Sequence, residues 1–220
     1  MQRSACHAAS SRVQCCYTSC SMRLLWPSPH SKFIRCHYEV HEWRHAIAVL
    51  RTDFPNEWQD IVDVLSEFRL YKSDLIVGGG NKSTVAARID ASFETRGWAE
   101  KQFLTEIVVD EHSIHSPTHQ VDEYKNHVAV EMEWNNKDPF YDRDLNNFRL
   151  LFDLRVISAG VIITRSDELQ EIFASIGRAR SFGMNTTHMA KLLPRLHGGG
   201  GGGCPILAFG ITKKLYIEDC

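Results

Sequence analysis

VDEYKNHVAVEMEWNNKDPFYDRDLNNF, residues 121–148, sets Asp122, Glu131 and Glu133 within a few turns of chain, beside a short apolar alternation and a run of amides. HVAVEMEW (127–134) has the two-residue period of a strand. Val128, Val130, Met132 and Trp134 fall on one face, and Ala129, Glu131 and Glu133 on the other. Strand residues two apart lie roughly 6.5–7 Å from each other, near enough for both carboxylates to reach one hard cation. Asp122, just upstream, adds a third acid. Spacing alone also suits an ordinary amphipathic strand with a solvated acidic face, because clustered carboxylates mark sites only statistically.

Outward from this stretch the periodicities alternate. KFIRCHYEV (32–40) predicts a strand. HEWRHAIAVL (41–50) and NEWQDIVDVLSEF (56–68) place Trp43, Ile47 and Leu50, then Trp58, Ile61, Val62 and Leu65, at helical spacing. VGGGN (77–81) predicts a turn and lacks the Lys-Ser/Thr of a phosphate-binding loop. KSTVAARIDASFETRG (82–97) predicts a helix closed at Gly97, and EKQFLTEIVVD (100–110) a strand. FYDRDLNNFRLLFDLRVIS (140–158) predicts a long helix with Leu145, Phe148, Leu151 and Phe152 on one face, and GVIITR (160–165) a buried strand. SDELQEIFASIG (166–177) predicts a helix whose N-terminus is favoured by Asp167 and Glu168. THMAKLLPRL (187–196) predicts a last helix broken near Pro194, the glycines 198–203 a flexible loop, and PILAFGIT (205–212) a strand. The expected fold class is α/β (α+β).

At 220 residues the chain suffices for one good core, expected to be a single domain over 32–220. No acid precedes Glu39, so residues 1–31 are expected to be an unstructured extension or an overlong start, with Met22 a later start. No window has the roughly 18 consecutive apolar residues of a membrane span. A net charge of −2 argues against nucleic-acid binding by bulk charge. Yet residues 172–217 contain no acid and carry Arg178, Arg180, Lys191, Arg195, Lys213 and Lys214, a composition suited to phosphates. Five of seven cysteines lie in the first 36 residues, which suits neither a disulfide scaffold nor a zinc site. Reduced thiols in a cytoplasmic protein are expected.

Three acids at a sheet edge suit Mg²⁺, which takes oxygen ligands and can acidify bound water while stabilising charge on a phosphate oxygen. Phosphodiester hydrolysis is the matching chemistry. Asp122, eight intervening residues, Glu131-x-Glu133, then WNNKDPFYDRDL and a helix leading into AGVIIT, resembles the type II restriction endonucleases of the BglII and BstYI kind, PD-(D/E)xK nucleases that cut DNA at GATC-centred sites. The resemblance covers roughly residues 33–215 and is strongest over 122–163. It implies a restriction-endonuclease-like fold, a central mixed β-sheet flanked by helices, with Mg²⁺ held by Asp122, Glu131 and the Met132 carbonyl. It also implies a homodimer acting on double-stranded DNA and a cognate DNA methyltransferase. Glu133 departs from the pattern: most of the superfamily has Lys there and the BglII-like members Gln. It is similar to BamHI, where a glutamate holds that place, and so is a candidate general base. Base reading is implied for Asn135, Asn136 and Lys137, and for Asn185, Thr186 and Thr187, whose amides and hydroxyls suit base edges. A non-specific nuclease of the same superfamily, a DNA-binding relative that no longer cuts, and an α/β domain unrelated to DNA remain the alternatives.

Overall fold

AGVIITR and ILAFGI offer no polar alternation, the pattern of strands covered on both faces. Every residue of both is buried in the computed structural model, which describes residues 29–77, 83–115 and 118–219. In chain order the elements are α1 (Pro29–His37), β1 (Tyr38–Trp43), α2 (Ala46–Asp53), α3 (Pro55–Glu67), β2 (Leu70–Tyr71), α4 (Lys72–Ile76), α5 (Thr84–Glu94) and β3 (Ala99–Lys101). There follow β4 (Glu106–Val109), β5 (His112–His115), β6 (Val121–Lys125), β7 (Val128–Glu133), α6 (Phe140–Asp153), β8 (Ala159–Arg165), α7 (Leu169–Ser175), α8 (Met189–His197), β9 (Ile206–Ile211) and β10 (Tyr216–Ile217).

Six strands form one mixed sheet in the order β1-β9-β8-β7-β6-β3. The central β7, β8 and β9 are parallel, and β1, β6 and β3 are antiparallel to their neighbours. Parallel neighbours need crossovers, supplied by α6 between β7 and β8 and by α7 and α8 between β8 and β9. Helices α6 and α8 cover one face, where Leu145, Phe148, Leu151, Leu192 and Leu196 pack on Ala129, Ile162 and Ala208. The other face packs Val130, Val161, Ile163 and Phe209 against α1, α2, α3, α5 and α7. This is the expected mixed sheet between helices.

Several local expectations are corrected. The strand expected over 32–40 is helix as far as His37: Phe33 and His37 stack at 3.9 Å, and Ile34 and Tyr38, four apart, are both buried. Trp43 belongs to β1, opposite Ile206, because Arg44 and His45 adopt left-handed conformations that turn the chain before α2. The strand expected over 100–110 is two elements. Only β3 joins the sheet, while β4 and β5 form a separate hairpin turned at Asp110, whose φ is 53°. Helix α8 runs through Pro194, which forfeits a single bond, to the Ala190 carbonyl, three residues before the helix ends.

The glycines 198–203 are successive hydrogen-bonded turns, not a flexible loop. Gly200 N–H donates to the Arg195 carbonyl at 2.9 Å and Gly202 N–H to Gly199 at 2.9 Å. A Cβ at Gly201 would overlap Ile206 and one at Gly202 would overlap Arg149, so the bare backbone is what fits against α6 and β9. Helix α5 ends at Glu94, and Gly97 (φ 80°) closes the turn after it. Asp167 and Glu168 cap other segments: they accept from Ala190 N–H and Lys213 N–H. The turn expected over 77–81 and the extension over 1–31 lie almost wholly outside the described residues. Among those described, Cys204 is a buried free thiol, and no helix is long and apolar enough to cross a membrane.

Candidate active site

Strand β7 is buried along its whole length, so its acidic face is not solvated. Glu131 and Glu133 share the face of Ala129, beneath α6, and are 0 % and 1 % exposed. The α6 stripe that packs on this face, Tyr141, Leu145 and Phe148, also contains Asp144, 0 % exposed. The β6–β7 ladder pairs Glu123 with Val130, and continuing that register sets Asp122 opposite Glu131. Asp122 Oδ2 accepts from Met132 N–H at 2.9 Å. N–H and C=O of one strand residue point the same way, so the Met132 carbonyl is aimed to the side of Asp122.

Three buried carboxyls, Glu131, Glu133 and Asp144, therefore lie close together, with half-buried Asp122 beside them. Neither carboxylate oxygen of Glu131 has a hydrogen-bond partner. Burial drives its carboxyl well above the usual range, and the charges of Asp144, Asp122 and Glu133 push the same way. Glu133 accepts from Asn136 Nδ2 at 2.8 Å and from Arg143 Nη2 at 3.2 Å. Its carboxyl is nevertheless raised, first by burial and then by Asp144. Asp144 accepts from Arg143 Nε at 2.8 Å and is also raised by burial. Beside these groups opens a cleft of about 440 Å³ lined by Asp122, Met132 and Glu133 from the sheet, Ser83 and Asp90 from the α5 region, and His119, Asn135, Asn136 and Arg143. His119 is held below its usual range by burial and by the Arg143 charge.

The donors fit a hard divalent cation: all are oxygens, the net charge is negative, and the Glu131 oxygens are buried without partners. They are not drawn together into a ready cage. Among the described residues no three Asp, Glu, His or Cys side chains are grouped to hold a metal ion. Asp122 is engaged by the Met132 amide and Glu133 by Arg143 and Asn136. Lys125 lies apart from the cluster, donating to Asp60 and to the Arg96 carbonyl, both at 2.7 Å.

The two segments implied in base reading are joined to each other. Asn136 N–H donates to Thr187 Oγ1 at 3.1 Å, Thr187 N–H to the Asn136 carbonyl at 2.8 Å, and Asp138 N–H to the Asn185 carbonyl at 3.3 Å. Lys137 and Thr186 form an isolated antiparallel bridge. Asn135, Asn136, Lys137 and Asn185 are exposed. Thr187 is wholly buried and Thr186 half-buried, so these two hydroxyls serve the frame of the loop.

The acid-free run 172–217 does not present a free row of cations. Arg195 pairs with Asp138 and Asp142, Lys191 with Asp138, Lys213 with Glu171, and Arg178 caps the carbonyls of Leu75 and Val77. Carboxylates distant in sequence neutralise much of what composition promised. Arg143 and Asp144 escaped the sequence reading, although a signal existed: a carboxylate three residues after Tyr141 and four before Phe148 lies inside the apolar stripe of its helix. His119 and Asp90 reach the cleft only through the tertiary fold.

A family model described as restriction endonuclease BglII/BglIII matches residues 38–211, from the first residue of β1 to the last of β9. No curated protein matches the chain.

Proposed function

The chain belongs to the BglII family of restriction endonucleases and is a type II restriction endonuclease, a hydrolase of DNA; from that premise we propose that it is a Mg²⁺-dependent homodimer cutting both strands of a GATC-centred palindrome. Enzymes of this family use a divalent metal ion. The observation that carries the proposal is Glu131: two buried, partnerless carboxylate oxygens among three further carboxyls, beside a polar cleft. Such an arrangement is costly in the empty protein and is relieved by a cation.

Asp122, Glu131 and the Met132 carbonyl would hold Mg²⁺. When bound, the ion stabilises charge on the phosphoryl oxygens and acidifies water. Positive charge bound at the cluster would offset the burial and the Asp144 charge that hold a proton on Glu133; ionised, and oriented by Asn136 and Arg143, Glu133 would take the proton of the attacking water. The water oxygen forms a bond to phosphorus, the bond from phosphorus to the leaving sugar oxygen breaks, and that oxygen collects a proton from solvent. Asn135, Asn136, Lys137 and Asn185 face the bases, where amides pair well with adenine. A two-fold protein matches a palindrome and cuts one strand per subunit. A cognate DNA methyltransferase would protect host DNA in the cytoplasm.

Digestion of unmethylated plasmid by purified protein and Mg²⁺, with Glu131→Ala and chelator controls, tests this. Discrete fragments ending at GATC-containing sites, lost in both controls, are expected. Diffuse cutting would replace it with a non-specific nuclease, and intact DNA with a folded protein would replace it with a relative that binds without cutting.

A further inference from the structure

Arg165, the last residue of β8, is 2 % exposed. Its guanidinium partners are not carboxylates. Nε donates to the Thr187 carbonyl at 2.9 Å, and Nη2 to Thr186 Oγ1 at 2.6 Å and to the carbonyls of Phe182 and Gly183 at 3.4 Å. All of these acceptors belong to one segment, 182–187. The cation lies over the rings of Phe173 and Phe182, at 5.2 and 5.8 Å, and Phe182 packs edge-on against Trp134 at 6.2 Å. An apolar side chain of similar length would fill this place without the cost of burying a charge. The guanidinium adds a rigid fork of donors that fixes several points of one loop at once.

That loop is hydrogen-bonded to the segment leaving β7, through the Asn136–Thr187, Lys137–Thr186 and Asp138–Asn185 contacts. In the β7–β8 ladder Glu133 stands opposite Thr164, one residue before Arg165. We propose that Arg165 is the positioning residue for base recognition, anchoring segments 135–137 and 182–187 as one frame on the end of β8, beside the end of β7 that bears Glu133. Its effect on cleavage passes through the exposed amides of Asn135, Asn136 and Asn185, whose geometry decides which base pairs are accepted. The inference rests on the reading of these two segments as the base-reading surface.

The test compares kcat/KM on the cognate duplex with kcat/KM on duplexes altered at single base pairs of the site, for wild type, Arg165→Met and Arg165→Lys. Thermal unfolding is recorded for each. The ratio is independent of the fraction of folded enzyme, so a loss of stability alone cannot move it. Arg165→Met is expected to lower the ratio at least about tenfold, with Arg165→Lys between it and wild type, since a point charge restores some of the contacts and not the fork. If Arg165→Met does not fold, the lowered ratio of Arg165→Lys decides. A ratio in the variants equal to that of wild type, whatever happens to the melting temperature, overturns the proposal and leaves Arg165 a structural residue. A wild type that cuts but does not discriminate sinks the base-reading premise itself, and is recognised without any variant.

Discussion

At Glu131 the solvent decides what the side chain is. In an unfolded chain its carboxyl titrates near about 4.3; in the fold, burial and then the Asp144, Asp122 and Glu133 charges raise it. Glu133 and Asp144 move in the same direction. The native state therefore binds more protons than the unfolded one above the ordinary carboxyl range. Stability present at low pH is lost as pH rises toward the displaced values. Metal-free protein should accordingly melt at a lower temperature at pH 8 than at pH 5, a loss on the order of 2 kcal/mol. Glu131→Gln should flatten that slope while abolishing cleavage, and Mg²⁺ should restore wild-type stability at pH 8. Calorimetric or spectroscopic melts in chelator and in Mg²⁺ measure both effects, and a metal-free protein more stable at pH 8 would contradict this account of the cluster.

Helix α6 seats on β8 through an absence. At Gly160 a Cβ would overlap the Phe148 ring, so the close approach that brings Asp144 and Arg143 over Glu133 depends on this bare position. Gly160→Ala is expected to destabilise by about 1–3 kcal/mol, read from the urea midpoint, because Phe148 must leave its packed position. Activity per folded molecule should fall as well, since α6 carries Arg143 to Glu133. Full activity at reduced stability would show that the helix repacks without disturbing the site. Helices α3 and α6 and strands β8 and β9 were legible in the sequence because their apolar periods are long and match their burial. The start of β1 was not: a window containing Phe33, Ile34, Tyr38 and Val40 satisfies both periods, and packing of Ile34 and Tyr38 chose helix before strand. The glycine turns were misread because composition records missing side chains and not the groups that take their place.

For the whole molecule, the proposed two-fold symmetry makes a prediction that a monomeric nuclease does not share. Heterodimers of one active subunit and one Glu131→Ala subunit, purified through two different tags after co-expression, should nick a supercoiled plasmid carrying one site and linearise it only slowly. Rapid linearisation by the heterodimer would mean that a single subunit cuts both strands. The charge distribution is also a property of the whole. Arg195, Lys191 and Lys213 are exposed or half-buried in pairs with acids from other parts of the chain, and such surface pairs contribute little to stability.

By itself the sequence determined the alternation of strands and helices, the buried strand β8, and the placing of Glu131 and Glu133 on one face of a strand. Each of these follows from the local periods of strand and helix, which pattern displays directly. Only the tertiary structure decided that the acidic face of β7 is dry, that Asp144 and Arg143 lie over it, that the Thr186 and Thr187 hydroxyls are turned to the loop's own frame, and that Arg165 ties this loop to β8. Those are contacts between residues distant in sequence, and burial, which sets the charge state of a carboxyl and the cost of a lone guanidinium, exists only once such residues are packed together.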